Sequence, residues 1–355
     1  MMGSKAIVKF IKILPIIFGF SLLLLLIMVL FLLSGLNPFT SCQLLFYYGF
    51  GTTAYLSEAF LRSIPILFIS LGLMFPFMAG IWNIGAEGQF YVAAIVSAAI
   101  AIYSAWMPFP IPLILSIIGG CLGGAVYALI PAYLRVTRNV NEIFTSLMLN
   151  YIAIYSVSYL ILGPLRNPTT NFAETPPIPG SAIIPRIFPN LRLNFLSILA
   201  FILIPITLIV INNTSFGLSL KFMGQNPIAA EFIAINKKRI ILVTMFISGF
   251  LTGLAAAHEV LGVVHAVRQG ISSNYGYISI GIVYFGGMNP IGIFLISLLA
   301  AGIINGTRLV SFFTGIPIGL SDMLFGALPL LIFISNKAVE KISNSILIHR
   351  KRWIG

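Results

Sequence analysis

The sequence predicts an all-α polytopic membrane protein with about ten transmembrane helices. Two observations carry that reading. Of the 355 residues, 59% are hydrophobic and 8% charged, against about 25% charged in soluble domains. That is too little charge to cover a soluble surface and too much hydrophobicity for a disordered chain. The apolar residues also come in unbroken runs, such as Ile13 to Leu33, whereas a transmembrane barrel alternates polar and apolar positions over ~10-residue strands.

A membrane-spanning helix needs about 20 predominantly apolar residues, and ten segments qualify in order. They are Ile13–Ser34, Ala59–Gly80, Gly88–Ala105, Ile111–Tyr133, Ile143–Leu162, Asn194–Ile211, Ile240–Gly262, Tyr277–Gly287, Pro290–Gly306 and Gly319–Ser335. The first follows Lys5, Lys9 and Lys12, as a signal peptide would. Its apolar run exceeds the roughly 7–15 residues of such a peptide and no small-x-small cleavage site follows, so it reads as a retained anchor. The eighth is too short to cross alone and reads as a half-span breaking near Gly286-Gly287. The whole chain, 1–355, reads as a single transmembrane domain without a soluble domain or a fixed-period repeat.

Ten spans place both termini on one side. That side then holds fourteen of the 20 Lys and Arg residues, and positive charge accumulates on cytoplasmic flanks. Both termini are therefore expected in the cytoplasm. The net charge of +12 is explained in the same way; no dense basic stripe points to nucleic acid. Cys42, in a loop, and Cys121, in an apolar glycine-rich run, do not form a disulfide framework. No phosphate-cradling Gly-x-x-x-x-Gly-Lys-[Ser/Thr] sequence is present. No His/Cys/Asp/Glu cluster has metal-ligand spacing; His258 and Glu259 are adjacent, about 100° apart on a helix.

Two loops are long. Residues 163–193, outside, are rich in proline and should be extended and irregular. Residues 212–239, inside, carry a helix-compatible segment, Pro227–Ile235, with Asn226 as N-cap and Pro227 at the first helical position. Ala229 and Ala230 would give that short helix a small face for close docking; a helix lying on the membrane surface is the other reading.

Four polar motifs interrupt the apolar pattern. In the first, Trp82 to Gln89, Asn83, Glu87 and Gln89 stand beside Gly85 and Gly88, a backbone break with polar groups. Either Glu87 faces water at a cytoplasmic turn, or the group borders a translocation path, since irregular backbone at membrane depth needs protein or a water-filled cavity around it. In the second, Asn139 or Asn141 can cap the fifth span and Glu142 suits a helix N-terminus, while Asn150, two turns further in, is either interhelical glue or a cavity group. The third is Gly224-Gln225-Asn226-Pro227-Ile228-Ala229-Ala230. In the fourth, Glu259-Val260-Leu261-Gly262-Val263, Glu259 either snorkels to the outer interface or lines an external mouth. The glycine pairs Gly119/Gly123 and Gly120/Gly124 are spaced for close helix packing.

In order and spacing these segments resemble the permease subunits of the ABC importer family that serves branched-chain amino acids, ribose and related sugars, and more closely its nucleoside/simple-sugar branch. Phe77 to Gln89 is similar to that branch's Ala-Gly-x-Phe-Asn-Ile-Gly-Ala-Glu-Gly-Gln pattern, with Trp82 in place of Phe. Val140-Asn141-Glu142-Ile143 with Met148 to Ala153, the Gly224-x-Asn226-Pro227-x-Ala229-Ala230 loop and Glu259-Val260-Leu261-Gly262 also match. The Phe-Asp that often follows Gly-Tyr-Gly in such permeases is missing from Gly276 to Ile282.

The resemblance covers about residues 55–335. It implies a transport subunit with no enzymatic activity, metal or cofactor of its own, in a prokaryotic cell membrane. The implied partners are a cytoplasmic ABC ATPase carrying ATP and Mg, a second permease subunit, an external substrate-binding protein and membrane lipid. The expected cargo is a nucleoside or simple sugar. On this reading Asn83, Glu87, Gln89, Asn150 and Glu259 belong to the translocation path, and Gly224, Gln225, Asn226, Pro227, Ala229 and Ala230 to the ATPase coupling loop. An ion-coupled secondary transporter and an ABC permease for branched-chain amino acids are the alternatives.

Overall fold

The computed structural model describes residues 18–19, 21–187, 192–232 and 234–315. The basic N-terminal flank, the tenth expected span, Gly319–Ser335, and the basic C-terminal tail lie outside the described residues. Seven helices among the described residues are long and apolar enough to cross a membrane, or eight if a bent pair counts as one span.

The chain divides into two compact units. In the smaller, α1 (Ser21–Leu33) meets α2 (Pro38–Phe50) at a bend of 118°. Asn37 caps α2 through Phe39 N and Thr40 N, with Pro38 at the helix start. Cys42 thus sits on a helix and not in a loop; the Asn-Pro start signal explains the difference. The last turns of α12 (Pro290–Thr314) complete this unit: Asn305 Nδ2 donates to Tyr48 O at 3.2 Å, and Phe313 stacks on Tyr48 at 5.4 Å.

The larger unit, Thr52–Gly302, holds α3 (Thr53–Met78), α4 (Ala86–Tyr103), α5 (Ile111–Arg138), α6 (Glu142–Leu162), α7 (Phe195–Asn213), α8 (Ser215–Gln225), α9 (Pro227–Phe232), α10 (Lys237–Glu259) and α11 (Tyr275–Phe285). Thr52 caps α3 through Tyr55 N at 3.2 Å, so this helix starts six residues before the expected Ala59. A π-helical turn, Val260–Val264, extends α10. The apolar window of α3 is 89% buried and those of α6 and α7 28% buried, so α3 is central while α6 and α7 turn apolar side chains outward.

Three helices meet in close contact. A Cβ on Gly124 would strike the Gly249 carbonyl, and one on Gly253 would come 2.5 Å from Cys121 Cα; α5 and α10 touch backbone to backbone. On the other side of α5, Gly119 and Gly123 receive Ile100 and Val96 of α4. Both glycine pairs of the sequence therefore serve helix approach.

Two helices end in the same way. Gly80 (φ +74°) and Gly287 (φ +64°) take left-handed backbone, which glycine adopts without a Cβ penalty. Ile81 N donates to Pro76 O at 2.9 Å and Gly80 N to Phe77 O at 3.0 Å; Met288 N donates to Val283 O at 3.0 Å and Gly287 N to Tyr284 O at 2.9 Å. These are paired glycine C-caps. The second fixes the end of α11, which is 11 residues long, a half-span as expected.

The described part of the proline-rich loop 163–193 is extended, as expected. Thr175 N donates to Val267 O (2.9 Å), Ile178 N to His265 O (2.9 Å) and Ile184 N to Leu261 O (3.1 Å), so the loop lies along the connection that follows α10. Burial and then the neighbouring Arg186 guanidinium hold the His265 imidazole below its ordinary pKa.

The loop 212–239 differs from expectation. It contains two helices, not one. Thr214 caps α8 through Gly217 N at 3.2 Å, and Leu220 and Met223 seat its apolar face. Helix α9 starts at Pro227 under an Asn226 cap, with Ile228 N and Ala229 N donating to Oδ1 at 3.0 and 3.1 Å, but it stops at Phe232 and not Ile235.

Candidate functional site: a broken-helix core and a loop with an apolar edge

Between α3 and α4 the backbone runs irregularly through residues 79–85. Gly85 ends this stretch, while Gly88 lies inside the first turn of α4. A Cβ at Gly88 would be 2.9 Å from Asn150 Cα, so Gly88 admits α6 and does not break the chain.

Four of the five expected path residues gather here. Asn83 Nδ2 donates to Ser248 Oγ (2.9 Å) and Gln89 Oε1 (3.2 Å), and Asn83 Oδ1 accepts from Gln89 Nε2 (2.9 Å) and Gly85 N (3.0 Å). Asn150 Oδ1 accepts from Gly88 N at 2.8 Å, and its Nδ2 donates to Ile84 O (2.9 Å) and the Tyr277 hydroxyl (3.2 Å). Glu87 accepts from Gly276 N at 2.9 Å and from the Ser272 hydroxyl. Asn83 and Asn150 are 0% exposed, Gln89 1% and Glu87 2%. Glu87 therefore does not face water at a turn. It joins the start of α4 to the start of α11.

The depth of this cluster follows from helix rise. Asn150 is eight residues into α6, about 12 Å, and Ser248 eleven residues beyond Lys237, about 16 Å, at 1.5 Å per residue. Backbone groups freed at that depth must be satisfied inside the protein; Asn83, Asn150 and Glu87 do so, and Gln89 holds Asn83 in place. They leave α4 and α11 free to begin inside the bundle.

Glu259 lies elsewhere, eleven residues further along α10 and about 16 Å away. It interacts electrostatically with Arg62 of α3, which also engages Glu58 and Tyr275. Arg62 pairs with Glu58 at 3.0 Å and Arg192 with Glu58 at 3.4 Å. This charged group ties α3, the loop 163–193 and the end of α10 together.

Sequence reasoning missed Ser248, Ser272, Gly276, Tyr277 and Arg62. The run Ser272-Ser273-Asn274 before an apolar segment is a helix-start signal that marks Ser272. Nothing local distinguishes Ser248. His258 is buried and neither ring nitrogen has a hydrogen-bond partner among the described residues. No group of three or more His, Cys, Asp or Glu side chains there could hold a metal ion.

On the opposite face, Ala79, Gly80, Arg135, Glu142, Gly224, Pro227 and Lys238 line one groove. Asn141 caps α6 through Ile143 N at 2.9 Å, and Glu142 pairs with Arg135 at 3.3 Å. Gly224 lies against the Met78 carbonyl, so the end of α8 rests on the end of α3 just before the break. Of the expected coupling residues, Gly224, Gln225, Asn226, Pro227 and Ala229 are exposed, but Ala230 is 1% exposed. Ala230 turns inward because α9 seats that side on its own subunit. The surface on offer is therefore not a small-residue face: Ile228 is 67% and Phe232 87% exposed.

The family model described as branched-chain amino acid transport system / permease component matches residues 55–334. Among curated proteins, a glucose ABC transporter permease protein, TsgB13 of Haloferax volcanii, is 29% identical over 83% of this chain and 80% of its own length. The guanosine ABC transporter permease protein NupP of Bacillus subtilis is 28% identical over 89% of this chain and 91% of its own. The nucleoside ABC transporter permease protein NupB of Lactococcus lactis subsp. cremoris is 28% identical over 84% and 83%. No solved structure gives a significant match. With a bundle of apolar helices, a buried polar core at its broken helices and a family match over most of its length, this chain belongs to the permease component family of branched-chain amino acid transport systems.

Proposed function

We propose that this chain is the membrane-spanning permease subunit of an ATP-driven importer, one that moves a nucleoside or simple sugar handed over by an external binding protein. The likeness to permeases named for guanosine, nucleosides and glucose supports the cargo class, and within it we favour nucleosides. The chain, a single permease domain, has no nucleotide site of its own on this reading. ATP and Mg act on a separate cytoplasmic ATPase, and a second permease subunit completes the pathway.

The observation that carries the proposal is the α8–α9 loop. A short capped helix presents two large apolar side chains, Ile228 and Phe232, directly beside the end of α3 where the chain breaks. A push on α9 would reach residues 79–85 through the Gly224–Met78 contact. The same face carries Arg135, Lys237 and Lys238, which supports a cytoplasmic orientation for it; on this reading both termini are cytoplasmic and the membrane is that of a prokaryotic cell. We read Asn83, Glu87, Gln89 and Asn150 as the brace behind the translocation path, and Glu259 as part of its outer mouth.

Phe232→Asp and Ile228→Asp should abolish co-purification of the ATPase and cut uptake at least ten-fold at normal membrane abundance. Thr170→Trp in the outer loop should change neither. Full ATPase binding by both Asp variants would remove α9 as the docking element. Ala230→Trp is a poorer probe, because that residue is buried within its own subunit. External labelling checks orientation: a cysteine at Thr170 should react in intact cells, and its protection would reverse the topology.

A further inference from the structure

Residues 81–84 alternate inward and outward as an extended stretch does. Ile81 and Asn83 are buried, while Trp82 is 40% exposed. The indole is nevertheless held in place. It stacks on Tyr284 of α11 with ring centroids 5.7 Å apart and planes 20° apart. Phe77 of α3 tilts against Trp82 at 5.5 Å and against Tyr284 at 5.6 Å. Three rings from α3, the break and α11 thus form one platform, and the indole in it stays 40% exposed.

We propose that Trp82 is a stacking surface for the nucleobase of a nucleoside passing through the permease, an inference that rests on the nucleoside reading above. Ile81 and Asn83 seat this stretch in protein, as irregular backbone inside a membrane requires, and the indole is the large side chain of it that stays exposed. A ring already fixed by two others binds a flat partner with little ordering cost. Aromatic side chains hold bases through their π-faces without hydrogen-bond readout. A sugar would instead need free polar groups converging on it. The polar side chains that follow it, Asn83, Glu87 and Gln89, are buried; Asn83 and Gln89 engage Ser248, Gly85 and each other, and Glu87 engages Ser272 and Gly276. The platform therefore suits a planar base and passes it on without tight capture.

The test uses the complete importer in vesicles, with guanosine as probe. Trp82→Ala should lower guanosine uptake about ten-fold, Trp82→Phe should keep most of it, and Trp82→Leu should behave like Trp82→Ala. Because Trp82→Ala could also lower abundance, a second measurement stands beside it. The chain has three tryptophans, Trp82, Trp106 and Trp353, so the full-length permease with Trp106→Phe and Trp353→Phe reports on Trp82 alone. Guanosine should quench its emission saturably, and glucose should not. Quenching by brominated lipid without quenching by guanosine would make Trp82 a membrane anchor and overturn the proposal. A wild-type importer that moves guanosine while Trp82→Ala moves it equally well would also overturn it and leave the proposed function standing. A wild-type importer that moves no nucleoside would overturn the cargo assignment itself.

Discussion

Asn150→Leu should strip the purified permease of several degrees of thermal stability and most of its uptake. Leucine is close to asparagine in size, so the cavity term is small and the loss is electrostatic. The change leaves Gly88 N–H and the Ile84 carbonyl without their partner. Each buried group left unsatisfied costs about 1–3 kcal/mol, so the two sum to about 2–6 kcal/mol, a large part of a typical stability. Glu87→Leu should be at least as severe, because the Ser272 hydroxyl and Gly276 N–H lose their shared acceptor and α11 loses the group that fixes where it begins. Glu87→Gln keeps an acceptor and should fall between Leu and wild type. Thermal unfolding followed by size exclusion, with uptake in parallel, checks this. Normal thermostability with abolished uptake would instead make these residues direct participants in transport and not a brace.

The second large effect concerns the contact between α5 and α10. Gly253→Leu should abolish accumulation of folded protein. A Cβ there already comes within 2.5 Å of Cys121 Cα and of the Gly120 carbonyl, and both are backbone atoms of a long helix that cannot rotate away. Overpacking of a side-chain contact costs about 1–3 kcal/mol; separating two helices along several turns costs more, because every neighbouring contact is lost with it. Gly180→Leu is the control, since a Cβ there meets nothing within 4 Å. Membrane abundance by quantitative blotting decides it, and wild-type levels of Gly253→Leu would mean the two helices do not touch at this point.

These two predictions rest on features the sequence revealed unequally. The glycine pairs on α5 are visible as a spacing, and the short eighth segment announces its own end at Gly286-Gly287. The spans themselves are legible because an apolar run of fixed length has few alternatives in a bilayer. The bend after α1 and the helix α8 carry only the start signals Asn37-Pro38 and Thr214-Ser215; a helix of 11 to 13 residues beside polar neighbours lacks the long periodicity that makes a span obvious. The polar motifs are legible as residues, but their partners are not. Asn83 meets Ser248 across 165 positions and Glu87 meets Gly276 across 189, and pairings at that distance leave no trace in local pattern. The same holds for Ala230, whose small side chain suits a docking face and a buried seat equally well; only the packing of α9 separates the two.

On the proposed function, import is driven by ATP through a separate subunit bound at α9. The most direct measurement is guanosine uptake into vesicles carrying the permease subunits and the ATPase, with the external binding protein added and ATP supplied only on the ATPase side. Uptake should require ATP, should stop when the ATPase is omitted, and should fall to background with Phe232→Asp. Uptake that proceeds without ATPase or ATP and follows an imposed ion gradient would contradict the account and make the chain a secondary transporter.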